Sequence, residues 1–284
     1  MANRVVYWAS RYAILIVAAI VALIPIVWLV SLSFKPQLEW YARPPIWISA
    51  RPTLENWSVV FFGTYVVELG VTTPSAVKPI INSVIAASGA TVLSLITGYM
   101  AAYCISRLKI ARYILNFTLF TRVFPPIAIM IPLVIFFSTI GMLDTLIGLI
   151  FVYAAFGVVF VIWFMKSMID EVPYEVEEAA MLEGVSRWGI IFRITLPLVR
   201  GGLAAAGLLL FILSWGEFLG ALVLTSTDAF TIPVQLIKFQ SATGAQLGPM
   251  AATSTFAIMP VLVISYYIQR HLVRGLTFGT VRSR

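Results

Sequence analysis

Residues 13–33 run from Ala13 to Ser33 without one charged side chain. A stretch of roughly 20 apolar residues is what a helix needs to cross a bilayer core. Backbone groups in lipid must pair within their own segment, so the run reads as a helix. It is too long and too apolar for the core of a cleavable leader, and no clear small-x-small cleavage site follows. It is expected to be the first membrane helix. Five further windows share its character: 80–104, 113–138, 145–166, 201–224 and 250–269. Only 11% of the chain is charged and 61% is hydrophobic, whereas soluble domains carry about 25% charged residues. A β-barrel would show short alternating segments, and none is present. The expected fold is therefore all-α and integral to the membrane, with six transmembrane helices.

The net charge is +7. Basic residues flank the apolar runs instead of lining one face, which suits lipid headgroups and not nucleic acid. Arg4, Arg11, Arg107, Lys109, Arg112, Lys166, Arg187, Arg193, Arg200, Arg270, Arg274, Arg282 and Arg284 fall on one side if the helices alternate. Lys35, Arg43, Arg51, Lys78 and Lys238 fall on the other. The positive-inside rule then puts both termini in the cytoplasm of a multi-pass plasma (inner) membrane protein. Three segments result: 1–12, a six-helix region 13–269 containing the loop 167–200, and a basic tail 270–284. The outer loop 34–78 carries Trp40, Tyr41, Trp47 and Trp57. These form either an interfacial aromatic belt or a docking surface for an external partner.

The loop between spans four and five has its own punctuation. Pro173 suits a first helical turn. Glu175, Glu177 and Glu178 complement the positive end of that helix. Gly184 fits a helix stop, and Ser186 can cap a second helix that Pro197 limits. Two short helices with a glycine elbow are expected on the cytoplasmic face. Ala179 and Ala180 are small enough for a partner to come near, and Glu178 offers an acceptor to a partner arginine.

Glu178, Ala179, Ala180, Gly184, Ile194, Leu196 and Pro197 together form Glu-Ala-Ala-x3-Gly-x9-Ile-x-Leu-Pro. Seven fixed positions match by chance about once in 10⁸ starting points. The spacing resembles the cytoplasmic loop of permease subunits from binding-protein-dependent ABC importers. The tail from Gln269 to Val281 resembles the ending of the carbohydrate type, the smaller maltose-permease-like subunit in particular. Ser214-Trp215-Gly216-Glu217-Phe218 is similar to that group's Trp-Asn-(Asp/Glu)-Phe pattern, departing at Gly216. Asn82-Ser83, opening span two, extends the likeness over most of the chain.

The resemblance implies that the loop is a coupling helix seated in a cleft of an ATPase subunit. It implies a hetero-dimer with a second permease subunit, two ATPase subunits holding ATP and Mg, and an extracytoplasmic solute-binding protein. The tail residues Gly275, Leu276, Thr277 and Gly279 would reach the ATPase pair. The cargo would be a sugar or polyol, with a peptide, amino acid or phosphorylated polyol as alternatives. An ion-driven secondary transporter or a scaffold that recruits a cytoplasmic partner are the rivals outside the family.

Two charges fall inside expected spans, Arg122 and Glu217. Each costs roughly 2.5–3.5 kcal/mol at a helix centre, so each is expected to face a partner or water. They are candidates for the translocation path, or for a structural ion pair. Gly216-x3-Gly220 reads as a helix-packing motif. No lysine follows a glycine, so the chain has no Gly-Lys-Ser/Thr phosphate loop. A single histidine, His271, leaves no histidine-based metal cluster or triad. The single cysteine, Cys104, is expected to be a small buried hydrophobe. The chain is thus expected to be a non-catalytic transport subunit with no cofactor of its own.

Overall fold

The computed structural model describes residues 2–66, 71–73, 75–107, 112–121, 123–241 and 244–277. They fall into two compact units, Met1–Lys78 with Gln235–Met259, and Pro79–Val234 with Pro260–Arg284.

The first unit begins with helix α1, Ala2–Ser33. Residues 6–27 are all exposed. The chain then turns at Lys35, which is buried. Asn56, on α2 (Glu55–Phe62), donates to the Ser33 and Lys35 carbonyls at 3.0 and 2.8 Å. Trp40 Nε1 donates to the same Lys35 carbonyl at 3.0 Å. The Lys35 ammonium lies 3.8 Å above the Trp28 ring. Burial lowers its pKa, with the Glu39 carboxylate acting in the opposite direction. Trp28 packs edge-on to Trp47, and Phe34 on Trp57. Several loop aromatics thus pack as a small folded cap. Two short hairpins complete the unit: β1 (Thr64–Val66) with β2 (Val71–Thr73), and β3 (Gln240–Ser241) with β4 (Gly244–Ala245). Tyr41 Oη donates to the Ala245 carbonyl at 2.7 Å, joining the cap to the second hairpin.

The second unit is helical. Its elements are α3 (Val77–Arg107, entering from the first unit), α4 (Arg112–Phe120), α5 (Pro126–Thr139), α6 (Leu146–Asp170), α7 (Tyr174–Leu182) and α8 (Arg187–Gly189). A π-helical stretch, Ile190–Thr195, leads directly into α9 (Leu196–Trp215). Then come α10 (Leu219–Leu224), α11 (Ile232–Lys238) and α12 (Leu247–Thr277), the last two shared between the units. One buried cluster gathers Met130, Phe137, Leu149, Val152, Tyr153 and Phe230. Another gathers Tyr99, Val161, Met165, Ile169, Val199 and Leu210. Helices α3, α6 and α9 approach closely at Gly157, where a Cβ would lie 2.7 Å from Ser94 Oγ and 2.8 Å from Leu210 Cδ1. Small residues at crossings are how membrane helices gain close van der Waals packing.

Five helices are long and apolar enough to cross a membrane among the described residues. They contain the expected spans 13–33, 80–104 and 250–269, all but the first residue of 145–166, and most of 201–224. The window 113–138 is not one helix: α4 ends at Phe120 and α5 starts at Pro126. Pro125 is extended, with ψ 129°, as a residue before proline must be. The window 201–224 is also broken, between Trp215 and Leu219. Gly216 and Gly220 therefore flank a break and do not form one helix-packing stripe.

Pro197 does not limit a short helix, contrary to the sequence expectation. The helix continues from Arg187 to Trp215 through the π stretch. A proline removes one backbone donor and crowds the carbonyl four residues back; the wider π turn just before it relaxes that crowding. Cys104 is exposed, not buried.

Candidate functional site

The loop between α6 and α9 is built by local signals. Pro173 precedes α7 in an extended conformation, ψ 131°. Gly184 adopts φ +83°, and nothing lies within 4 Å of the position a Cβ would take. That backbone is inexpensive only for glycine. Ser186 Oγ accepts from Gly189 N–H at 3.2 Å, capping α8.

Within α7 the successive acids part ways. Glu178 is exposed. Glu177 is 0% exposed and accepts four contacts. Arg107 donates to its Oε1 through Nε at 3.0 Å and Nη2 at 2.9 Å. Thr195 Oγ1 donates to Oε1 at 3.0 Å, and Tyr103 Oη to Oε2 at 2.9 Å. Arg107 Nη2 also donates to the Val172 and Ile169 carbonyls at 3.0 and 3.2 Å. Nearby, Tyr99 Oη donates to the Ile191 carbonyl of the π stretch at 2.8 Å. Removing either partner of a buried ion pair leaves an uncompensated charge and costs roughly 3–5 kcal/mol.

The alanine pair is split by the helix period. Ala179 is exposed and Ala180 is buried against its own chain. Only Ala179 keeps the open approach expected of both. Ile194 and Leu196 are half-buried and Pro197 is exposed. The open face of the loop is also apolar: Leu182 is 90% exposed and Trp188 62%. Trp188 stacks on exposed Phe192, centroids 6.0 Å apart. Sequence reasoning missed Leu182, Trp188, Phe192 and the buried role of Glu177.

Glu217 lies in the break between α9 and α10. Its carboxylate accepts from Gly220 N–H at 3.0 Å and Ala221 N–H at 3.4 Å. It thereby satisfies donors that the start of a helix leaves unpaired. It also lines a cavity of about 230 Å³ with Ser214, Tyr153, Phe156, Phe160, Met130 and Leu210. A second cavity, about 690 Å³, lies between α5 and α6 and is lined almost wholly by apolar residues such as Phe124, Leu133 and Phe151. Arg122, the other candidate for the path, lies outside the described residues. Gly275, Leu276 and Thr277 form the last turn of α12, and Gly279 lies outside the described residues.

Asn82 and Ser83 tie α3 to the segment after α10. Asn82 Nδ2 donates to the Asp228 and Phe230 carbonyls at 2.8 and 3.0 Å, and Ile232 N–H donates to Ser83 Oγ at 2.9 Å. A second tie, not expected from sequence, is Asp144. Its carboxylate accepts from the N–H groups of Ser226, Thr227, Asp228 and Ala229 and from both neighbouring hydroxyls. Burial alone would raise its pKa, but the four backbone donors prevail and hold the carboxyl well below the usual carboxylate range.

Similarity to known proteins accords with this arrangement. The family model described as "binding-protein-dependent transport system inner membrane component" matches residues 94–278. The chain is 32% identical over 281 residues to a probable ABC transporter permease protein of Sinorhizobium fredii, covering 99% of this chain and 96% of that one. It is 30% identical over 286 residues to the trehalose transport system permease protein of Mycobacterium tuberculosis, covering 99% of each. It is 31% identical over 271 residues to the trehalose/maltose transport system permease protein of Thermococcus litoralis, covering 94% of each. Among solved structures, a bacterial ABC transporter involved in import of the acidic polysaccharide alginate contains a chain of the same fold, with a TM-score of 0.71 at 22% identity, covering 93% of this chain and 96% of that one. A multi-pass helical chain whose matched region includes the whole loop from α6 to α9 therefore belongs to the inner-membrane permease components of binding-protein-dependent transport systems.

Proposed function

We propose that this chain is the transmembrane permease subunit of an ATP-driven importer for a sugar or polyol, and that α7 and α8 couple it to an ATPase subunit. The observation that carries the coupling role is the exposure of Glu178, Ala179, Leu182 and Trp188 on a segment anchored by buried Glu177. Relatives whose names specify trehalose, trehalose/maltose, sulfoquinovosyl glycerol and diacetylchitobiose support the carbohydrate cargo.

In this reading α4 and α5 together make the third of six spans, and α9 with α10 the fifth. The positive-inside pattern puts the loop, Arg4 and Arg11, and the basic tail in the cytoplasm. Two separate ATPase subunits hold ATP and Mg, and a second, non-identical permease subunit completes the path. A solute-binding protein delivers cargo at the opposite face. ATP draws the ATPases together, and the loop moves with them. The spans then exchange inward-facing and outward-facing arrangements, a domain motion of known type. Coupling requires that the ATPase cleft contact the loop differently in the two states. Glu217 and Arg122 are assigned to the path, and the last residues from Gly275 to Gly279 to the ATPase pair. The chain transmits force and performs no bond chemistry.

The test is reconstitution of this chain with its partner permease, the ATPase pair and the binding protein in vesicles. Uptake of one or more members of a di- and trisaccharide panel is expected, dependent on ATP inside and binding protein outside. Uptake by the isolated chain on a proton gradient would overturn the proposal.

A further inference from the structure

We propose that Glu177 is a positioning residue that makes the docking segment, the end of α3 and the start of α9 move as one body. The inference rests on the coupling role assigned above and adds how displacement leaves the loop.

The mechanical difficulty is at Gly184. A docking face on α7 connects to α9 through a residue with φ +83° and no neighbour within 4 Å of its Cβ position. The elbow is closed by Gly184 N–H donating to the Met181 carbonyl and Val185 N–H to the Ala180 carbonyl, both at 3.0 Å, but both bonds return to α7 and neither reaches α9. The Glu177 carboxylate bypasses this elbow. Thr195 lies on the far side of it and donates to Oε1 at 3.0 Å, across 18 residues of chain. Arg107 and Tyr103 bring α3 to the same carboxylate at 2.9 Å each. Arg107 also grips the Val172 carbonyl beyond the end of α6 at 3.0 Å.

The π stretch gives a second, independent reason. Such turns are uncommon and concentrate at functional sites. This one occupies Ile190–Thr195, near the start of the long apolar helix Arg187–Trp215. It is pinned near both ends by side chains from elsewhere: Tyr99 Oη holds the Ile191 carbonyl at 2.8 Å, and Thr195 is held by Glu177. Burial of Glu177 keeps water from competing for these bonds. The exposed acid at 178 is then free to meet a partner, while its buried neighbour carries the load inward.

The experiment uses the full complex of this chain, partner permease and ATPase subunits. A Ser214→Cys substitution in a Cys104→Ser background reports the cavity beside Glu217 through maleimide labelling, compared between nucleotide-free and vanadate-trapped complexes. Thr195→Val and Tyr103→Phe each remove one bond to Glu177 with little change of shape. Glu177→Gln is the stronger variant, and the two milder ones serve if it does not fold. Each variant is expected to co-purify with the ATPase subunits and hydrolyse ATP. The nucleotide-dependent difference in labelling is expected to shrink roughly tenfold or more, the scale of one lost hydrogen bond to a charge. Thr195→Ser should restore it. A general loss of stability would lower yield and hydrolysis together without changing the labelling difference per intact complex. An unchanged difference in both Thr195→Val and Tyr103→Phe overturns the positioning role alone. Failure of the unsubstituted chain to co-purify with the ATPases removes the coupling role itself.

Discussion

Ala229 N–H donates to the Asp144 carboxylate at 2.9 Å, joining positions 85 residues apart in the chain. Asp144 stands at φ 54° in the turn before α6, a conformation uncommon outside glycine. The hydrogen bonds it collects from residues 226–229 hold that turn against the segment after α10. Asp144→Asn keeps the shape but replaces one acceptor oxygen with a donor facing other donors. The expected loss is roughly 2–3 kcal/mol, read as a lower midpoint of thermal unfolding in detergent. Acid should act in the same way. The folded-state pKa lies below the ordinary value of 3.8, so the stabilisation is complete above that value and fades as pH falls through the folded-state pKa. The acid-induced fall in midpoint should be smaller in Asp144→Asn than in the parent chain. Identical acid profiles would show that the carboxylate charge contributes nothing.

Glu177 and Glu178 should separate cleanly by readout. Glu178→Lys changes an exposed residue, and its thermal midpoint should stay within about 0.5 kcal/mol of the parent's. Association with the ATPase subunits should nevertheless fail, because a partner arginine would now meet a lysine. Glu177→Ala should instead destabilise the chain itself by roughly 3–5 kcal/mol, since the half-buried Arg107 loses the carboxylate that balances its charge. Paired thermal unfolding and co-purification decide the matter. Equal midpoints for the two variants would contradict the burial difference.

Much of this loop was legible because its signals are local. Gly184 and Ser186 act on backbone within three residues of themselves, so a helix stop and a cap can be read directly from sequence. Glu177 could not be read so. It is the same letter as its neighbour, and its burial depends on Arg107, 70 residues earlier. Asp144 was invisible for the same reason, its donors lying more than 80 residues later. The apolar runs located the membrane helices, yet Pro125 and Pro126 in 113–138 were outweighed by the hydrophobicity around them. The break at Glu217 had a warning in Gly216, a residue poorly suited to a helix interior. Period-3.6 arithmetic alone would have separated Ala179 from Ala180, since adjacent helical residues do not share a face.

Gly184 offers a test of backbone against contact. A methyl group there meets nothing within 4 Å, so Gly184→Ala carries only the left-handed penalty, about 1–2 kcal/mol. The chain should insert and fold with a slightly lower midpoint. Gly184→Val adds a β-branched side chain at a conformation it rarely adopts, and the elbow should re-form elsewhere, turning α7 relative to α8. Co-purification with the ATPase subunits should weaken in the order Gly, Ala, Val. Equal binding by all three would mean that the elbow's geometry is not read by the partner.

Glu217→Gln separates charge from shape in the cavity. Glutamine keeps one acceptor oxygen for Gly220 N–H, now held at 3.0 Å by Oε1. The break between α9 and α10 should therefore persist, with a midpoint within about 1 kcal/mol of the parent's. The cavity, however, loses its carboxylate, the strongest acceptor available to a hydroxyl-rich solute among Ser214, Tyr153 and the apolar residues that line it. Uptake kinetics in the reconstituted complex should change, with the half-saturation concentration of the binding protein unaffected because that contact is made elsewhere. Unchanged uptake with an unchanged midpoint would remove Glu217 from the path, the cap of α10 being kept by the glutamine oxygen. Unchanged uptake with a lowered midpoint would leave it as the cap of α10 alone.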